Sequence, residues 1–292
     1  MRNLDAYSDD AFKFYNDFIK RKRIPKEDLN YKNRLTLLEN HISKRYELYD
    51  IKYLANELPD INPEIYTSEQ NKDLLSLYRF GAKMLVDLRI KLTTTKNNRV
   101  SNDCQNCTIG EIGSFDHYLP KDLFPEYAIN PKNLIPSCSI CNSYKGIKWQ
   151  ENGKRLFISP YLDALPEKQY LFAIINVENN DIGIEFQIDN RNNIPTDLFE
   201  ILRNHYTKLY LCSRFAENCE RVINEIKTEI HKYSKFLPIE QIKEIIIECA
   251  NDNRKVYGFN HYIYILQIAL VCNVDFLEKY VGIELSGPVE QL

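Results

Sequence analysis

Glycine is scarce in this chain, nine residues in 292, which argues against a glycine-rich fibre and against an all-β design with many tight turns. Long apolar runs are missing as well. The longest nearly apolar stretch, Tyr262 to Cys272, is interrupted by Gln267 and falls well short of the roughly 20 residues that span a bilayer. There is no internal repeat, no low-complexity tract and no GxxxxGK phosphate loop. A repeat array is thereby excluded, and any nucleotide sensing through that loop would have to come from another protein. Positive charge is not in excess: 38 Lys+Arg stand against 41 Asp+Glu, a net charge of −3. That excludes a globally basic nucleic-acid coat but leaves room for a local basic patch. The opening Met1-Arg2-Asn3-Leu4-Asp5 lacks the apolar region of a signal peptide, so no membrane association and a cytoplasmic location are expected.

What is present is an ordinary globular composition. At 44% hydrophobic and 27% charged residues, enough apolar surface exists to offset ordering entropy, and wholesale disorder is excluded. The length corresponds to one large domain or two to three small ones. Twenty Tyr and fourteen Phe supply bulky core and stacking groups. Eight cysteines in a reducing compartment point to metal or catalysis before disulfides.

The chain divides into four stretches. Residues 1–98 are predicted helical: Phe12, Tyr15 and Phe18/Ile19 recur at helical spacing between Asp10 and Lys20 and run into the basic Lys20-Arg21-Lys22-Arg23. Thr67-Ser68-Glu69-Gln70 fits a capping box. After it, Leu74, Leu77/Tyr78, Gly81, Leu85 and Leu88 predict one buried helix face. Residues 99–155 break the helical pattern with Cys pairs and prolines. Residues 156–194 hold a predicted β-hairpin: an apolar run Gln169–Val177, turn chemistry at Glu178-Asn179-Asn180-Asp181, then Ile182, Ile184, Phe186 and Ile188 alternating with polar or small residues. Residues 195–292 are predicted helical to about Tyr280, with breaks near Pro238 and Gly258. The expected fold class is therefore α+β, mainly α.

The central stretch carries the chemistry. Cys104-x-x-Cys107 and Cys138-x-x-Cys141 each set two thiolates on a tight turn, and two such knuckles complete a closed tetrahedral zinc site. Four sulfurs fill the metal, so its role is structural, and such a site contributes roughly 10 kcal/mol or more to folding. Thirty residues separate Cys107 from Cys138, more than a simple ribbon needs, so something further is built between the knuckles.

That loop reads Phe115-Asp116-His117-Tyr118-Leu119-Pro120, then Asn133-Leu134-Ile135-Pro136 before the second knuckle, with Asn142-Ser143-Tyr144-Lys145-Gly146 after it. In this stretch of about 50 residues the chain resembles the HNH endonuclease family, in its zinc-stapled branch. The resemblance implies a ββα-metal module in which Asp116-His117 end the first strand, Asn133 sits by the second and Asn142 opens the helix. It implies His117 as general base, with Asp116 and Asn142 holding one catalytic Mg²⁺ or Mn²⁺. Asn133 would bridge backbone groups that hold the His-bearing strand, and Lys145 would face the same phosphate. Many family members carry His where this chain has Asn142; the resulting all-oxygen site favours Mg²⁺ over softer ions. Similar free-standing proteins are bacterial mobile-element or phage-defence nucleases.

Between Arg89 and Arg155, ten Lys/Arg outnumber six Asp/Glu, a local net charge of +4 against −3 overall. Lys121, Lys132, Lys145 and Lys148 are the candidate phosphate contacts, because backbone contacts position a nucleic acid. The Lys20–Arg23 run is read as a solvated helix end. Asn204-His205-Tyr206 and Asn260-His261-Tyr262 resemble the Asp-His-Tyr of the motif only superficially. Cys212, Cys219, Cys249 and Cys272 are read as packing residues, the first two on one helix face.

The leading expectation is a metal-dependent endonuclease acting on DNA. One site cuts one strand, so double-strand cleavage calls for a homodimer or two visits. RNA cleavage is a second reading, and a zinc-stapled module that grips nucleic acid or a partner without cutting is a third. A sensor partner such as an ATPase would fit a chain that has no nucleotide loop of its own.

Overall fold

The computed structural model describes residues 1–95, 97–178 and 181–280. The chain forms two compact units: residues 3–165, and residues 1–2 with the chain from Pro166 onward. Helices dominate, and the strands of the described residues form two-stranded antiparallel sheets, so the class is α+β, mainly α.

The first unit opens with α1 (Ala11–Arg21). The Asp10 carboxylate accepts from the backbone N–H groups of Phe12 and Lys13 at its start, satisfying donors that no helical carbonyl can reach. Helix α2 (Tyr31–Leu54) follows, with Leu35, Leu38, Ile42, Arg45, Tyr46, Tyr49 and Tyr53 buried along one face. The capping box at Thr67 is complete: its hydroxyl accepts from Gln70 N, and the Gln70 side chain accepts from Thr67 N.

The single helix face expected over residues 74–88 is corrected. The structure has two helices, α3 (Ser68–Leu75) and α4 (Lys83–Thr93). Tyr78 leaves the helical path because its hydroxyl accepts from Phe115 N at 3.1 Å and donates to Phe115 O at 3.3 Å. A long-range pair of hydrogen bonds at a strand thus overrides local periodicity.

Strand β1 (Ser114–His117) pairs with β2 (Leu134–Ser137) in the register His117↔Leu134 and Ser114↔Ser137. Helix α5 (Ser139–Lys145) follows at once and ends on Gly146, whose φ of 53° suits glycine at a helix C-terminus. A two-residue ladder, β3 (Gln150–Glu151) with β4 (Lys154–Arg155), closes the unit. Its core gathers Tyr46, Tyr49 and Tyr127, whose rings meet edge-on or tilted at 4.9–5.9 Å, beneath the loop that joins β1 to β2.

The second unit is built on the hairpin of β5 (Leu171–Glu178) and β6 (Asp181–Ile188), paired from Leu171↔Ile188 to Glu178↔Asp181. The predicted Asn179-Asn180 turn lies outside the described residues. Six helices follow: α6 (Thr196–Lys208), α7 (Leu211–Ala216), α8 (Glu220–Tyr233), α9 (Ile239–Tyr257), α10 (Tyr262–Cys272) and α11 (Val274–Tyr280). Gly258, at φ 118°, is pressed against the backbone carbonyl of Met1, where any Cβ would clash. Asn260 ties the start of β5 to the start of α10. Its Oδ1 accepts from Tyr170 N and Leu171 N, and its Nδ2 donates to Lys168 O. The stretch Tyr262–Cys272 is α10; no helix among the described residues is long and apolar enough to cross a membrane.

Two cysteine expectations are corrected. Cys212 lies in α7 while Cys219 precedes α8, so they share no helix; the turn at 217–219 separates them. Cys249 and Cys272 are exposed rather than packed.

Candidate active site

Cys104, Cys107, Cys138 and Cys141 converge as a buried cluster whose sulfurs all lie within 4.8 Å of one another. Cys107 Sγ and Cys138 Sγ are 3.8 Å apart, the edge length that a tetrahedron with Zn–S bonds of about 2.3 Å requires. The local sequence accounts for the approach. Cys138 caps α5, its sulfur accepting from Cys141 N, so both thiols of the second knuckle sit on the first turn of one helix. In the first knuckle, Cys104 N donates to Gly110 O and Thr108 N to Cys104 O, and a Cβ at residue 110 would press on Cys138. Four crowded thiols cannot ionise independently. Sharing of S–H bonds drives Cys107, and more mildly Cys138, toward thiolate while raising Cys104 and Cys141. A divalent cation resolves that conflict by taking all four as thiolates.

The other side of β1 opens on a cavity of about 200 Å³ lined by Tyr78, Asp116, His117, Lys121 and Asn142, among others. His117 is buried, and its Nε2 lies 2.9 Å from the carbonyl oxygen of Ala128. A carbonyl only accepts, so Nε2 carries the proton and Nδ1 is the nitrogen with a free lone pair. Burial pushes the imidazole down to about 3, so the ring is neutral at pH 7. The Tyr78 ring packs edge-on against it, with centroids 4.5 Å apart.

Asp116 is buried and paired with the Lys145 ammonium at 3.0 Å. Burial raises its carboxyl above the ordinary range, and the Lys145 ammonium opposes the rise. Asn142 sits one turn inside α5 rather than at its start, a place taken by Cys138. Its Nδ2 donates to Ser114 Oγ at 3.3 Å, which fixes the amide plane. A carboxylate oxygen and an amide oxygen on one cavity are the donor set of a hard cation.

Asn133 is fully buried just before β2. Its Oδ1 accepts from Leu119 N at 2.7 Å and its Nδ2 donates to Leu119 O at 3.0 Å. Tyr49 donates to the same Oδ1 at 3.3 Å, and Tyr118 N donates to the Asn133 carbonyl at 2.8 Å. One side chain thereby clamps the chain as it leaves His117.

The four lysines fall in different places. Lys145, expected to face the phosphate, is buried, its Nζ bound to Asp116 and to the His117 carbonyl at 2.6 Å, and so braces β1. Lys132 is paired with Asp50 at 2.8 Å and Lys121 with Asp122 at 3.0 Å; Lys148 is exposed. Sequence reasoning missed Tyr78 and the support behind Tyr118. There the buried Arg155 guanidinium grips Asp163 through two bonds, at 2.6 and 2.9 Å, and donates to the Tyr118 hydroxyl at 3.2 Å. Neither stands in a motif, and each meets its partner across a fold that spacing does not reveal.

Two curated proteins resemble parts of the chain. Protein ea31 of Escherichia phage lambda is 27% identical over 156 residues, half of this chain and 52% of its own length. Septu protein PtuB of Bacillus thuringiensis is 32% identical over 78 residues, 26% of this chain and 30% of its own. The chain thus spans about half or less of the length of these relatives. No protein-family model matches it, and no solved structure does.

Proposed function

We propose that this protein is an HNH-type, metal-dependent endonuclease of the zinc-stapled ββα branch, hydrolysing phosphodiester bonds in DNA. The observation that carries the reading is the meeting of Asp116, His117 and Asn142 on one cavity, with the His117 tautomer set by Ala128. In this reading Cys104, Cys107, Cys138 and Cys141 hold a structural Zn²⁺, and Asp116 and Asn142 hold Mg²⁺ or Mn²⁺. When bound, that second ion supplies charge stabilisation at the scissile phosphate and the departing oxygen. His117 Nδ1 takes the proton from the attacking water as its oxygen bonds to phosphorus. The P–O bond to the leaving oxygen breaks, and that oxygen is protonated from solvent. Asn133 and Lys145 position the His117 backbone. Similarity to a Septu defence protein supports a role in phage defence. An associated sensor ATPase and a homodimer belong to the same proposal. RNA is the second reading of the substrate, since every contact named here is to phosphate chemistry shared by both.

The test is relaxation of supercoiled plasmid by the full chain with Mg²⁺, Mn²⁺ or no added metal. Nicking should require metal and should fall about 10²–10⁴-fold in His117→Ala, the span of a lost general base, with zinc content unchanged. Equal cleavage by wild type and His117→Ala would sink the assignment.

A further inference from the structure

A second cavity, of about 670 Å³, lies in the same unit and is lined by Arg21, Lys22, Arg23, Arg79 and Lys83 over a floor that includes Phe18. Among the described residues, no acidic side chain lines it. The five cations come from sequence-remote segments, Arg21–Arg23 at the end of α1, Arg79 between α3 and α4, and Lys83 at the start of α4, so this is more than the solvated helix end that Lys20–Arg23 alone implies. Among the described residues the guanidinium groups of Arg21, Arg23 and Arg79 make no salt bridge or side-chain hydrogen bond, although Asp17, one turn before Arg21 on α1, lies near enough to feel its charge. All three are exposed, and cations gathered on one concave surface raise a local positive potential that attracts anions. The adjoining N-terminus of α4 has no side-chain cap at Ala82, and its first residues, Lys83 and Met84, line the same space. It therefore presents free N–H groups and the positive end of a dipole.

The chain between α3 and α4 joins this cavity to the one that holds His117. Tyr78 lines the His117 cavity and the Phe80 ring packs on Phe115 at 5.7 Å, whereas Arg79 and Gly81 line the basic cavity. Residues 78–81 thus form a wall with one face toward each. From this arrangement we infer that the cavity lined by Arg21, Arg23 and Arg79 is an anchor for the phosphodiester backbone of the DNA whose scissile bond lies beside His117. The inference rests on the nuclease reading for the identity of the ligand. Arginine suits the task, because its planar fork binds phosphate oxygens in pairs. The unpaired guanidinium groups require no local ion pair to be broken first.

The experiment measures binding of the full chain to a fluorescein-labelled 30-base-pair DNA duplex by anisotropy, without added divalent cation, across a salt series. The protein variants are Arg21→Gln/Arg23→Gln/Arg79→Gln and a charge-matched control, Lys232→Gln/Lys235→Gln/Lys255→Gln. The arginine triple should melt like wild type and lose roughly 10- to 10³-fold in affinity. Its plot of log K against log salt should flatten by about 0.9 for each phosphate that is no longer neutralised. The control should bind as wild type does. Equal weakening in both triples, or none in the arginine triple, overturns the anchor. So does binding of ATP or inorganic phosphate alone at micromolar concentration with no displacement of the duplex, which would make the cavity a site for small phosphates. Arginine-dependent binding by a protein that fails to cleave with Mg²⁺, with Mn²⁺ or without metal keeps the anchor and removes the nuclease reading. Cleavage that is intact and indifferent to the arginines does the reverse.

Discussion

Two histidines, one in each unit, are buried to a similar degree and are pushed by that burial to the same acidity, about 3, yet their surroundings differ. His117 ends a strand, donates Nε2–H to a backbone carbonyl and shares a cavity with a carboxylate and an amide. His261 precedes α10, and its ring lies against Tyr262 and Tyr264 at 5.5 and 5.0 Å. Its Nδ1 has no hydrogen-bond partner among the described residues. Both neighbourhoods use a buried asparagine as a backbone clamp, Asn133 for Leu119 and Asn260 for residues 168–171. An Asx-His doublet and a lowered imidazole pKa therefore do not identify a base. A base also needs a fixed tautomer and a space in which something can react.

The largest effect that separates the two neighbourhoods should come from the four-cysteine cluster, which only the His117 unit contains among the described residues. Cys107→Ser, or chelation of the metal, removes binding free energy on the order of 10 kcal/mol from that unit. Limited proteolysis with fragment mapping should then cut throughout residues 3–165 while the helices between residues 196 and 280 stay protected, and zinc content should fall to zero. Protection that persists across residues 99–150 in a zinc-free protein would show that the cluster is not what holds the module.

How much of the molecule is legible in the sequence differs between the same neighbourhoods. The two knuckles are legible because metal geometry imposes spacing on neighbouring residues. The Thr67 box and the alternation in β6 are legible for the same reason, since each is a local constraint. Asp116 and His117 are adjacent and Asn142 directly follows the second knuckle, and the three meet on one cavity. What spacing does not show depends on distant partners. Tyr78 breaks a well-formed helical pattern because its hydroxyl meets Phe115, 37 residues away. Lys145 turns inward because a buried Asp116 requires a counter-charge. Cys249 and Cys272 look like small apolar groups in sequence but fall on the outer faces of their helices. Asn260 reads in sequence as a chance likeness to the motif, although its clamp parallels that of Asn133.

The next comparison truncates the two clamps. Asn133→Ala leaves the N–H and C=O of Leu119 buried and unpaired, at about 1–3 kcal/mol for each group. Removing Asn260 likewise strips acceptors and donors from Lys168, Tyr170 and Leu171. Both variants should melt lower by similar amounts. Only Asn133→Ala should also lose plasmid nicking at temperatures where it is still folded, because only that clamp adjoins His117. Equal activity in the two folded variants would make Asn133 a purely structural residue.

The smallest effect concerns acid. His261 titrates near 6.5 in an unfolded chain and near 3 in the folded one, so between those values the unfolded state binds the extra proton. The stability contribution is complete above pH 6.5 and declines as pH falls toward 3, by about 1.4 kcal/mol per unit. At pH 5 that amounts to about 2 kcal/mol. His261→Phe keeps the ring contacts with Tyr262 and Tyr264, adds no titrating group and gives the orphaned Nδ1 nothing to lose. Relative to wild type, its melting temperature should therefore rise more at pH 5 than at pH 7.5. The contribution of His117 acts in the same direction but is common to both proteins and cancels in the difference. Nicking at pH 7.5 should be the same in both, since His261 lies in the unit that has no part in the proposed chemistry. A wild-type and His261→Phe pair that lose stability in parallel from pH 7.5 to 5 would mean that His261 is protonated in the folded state, and the likeness between the two histidines would end there.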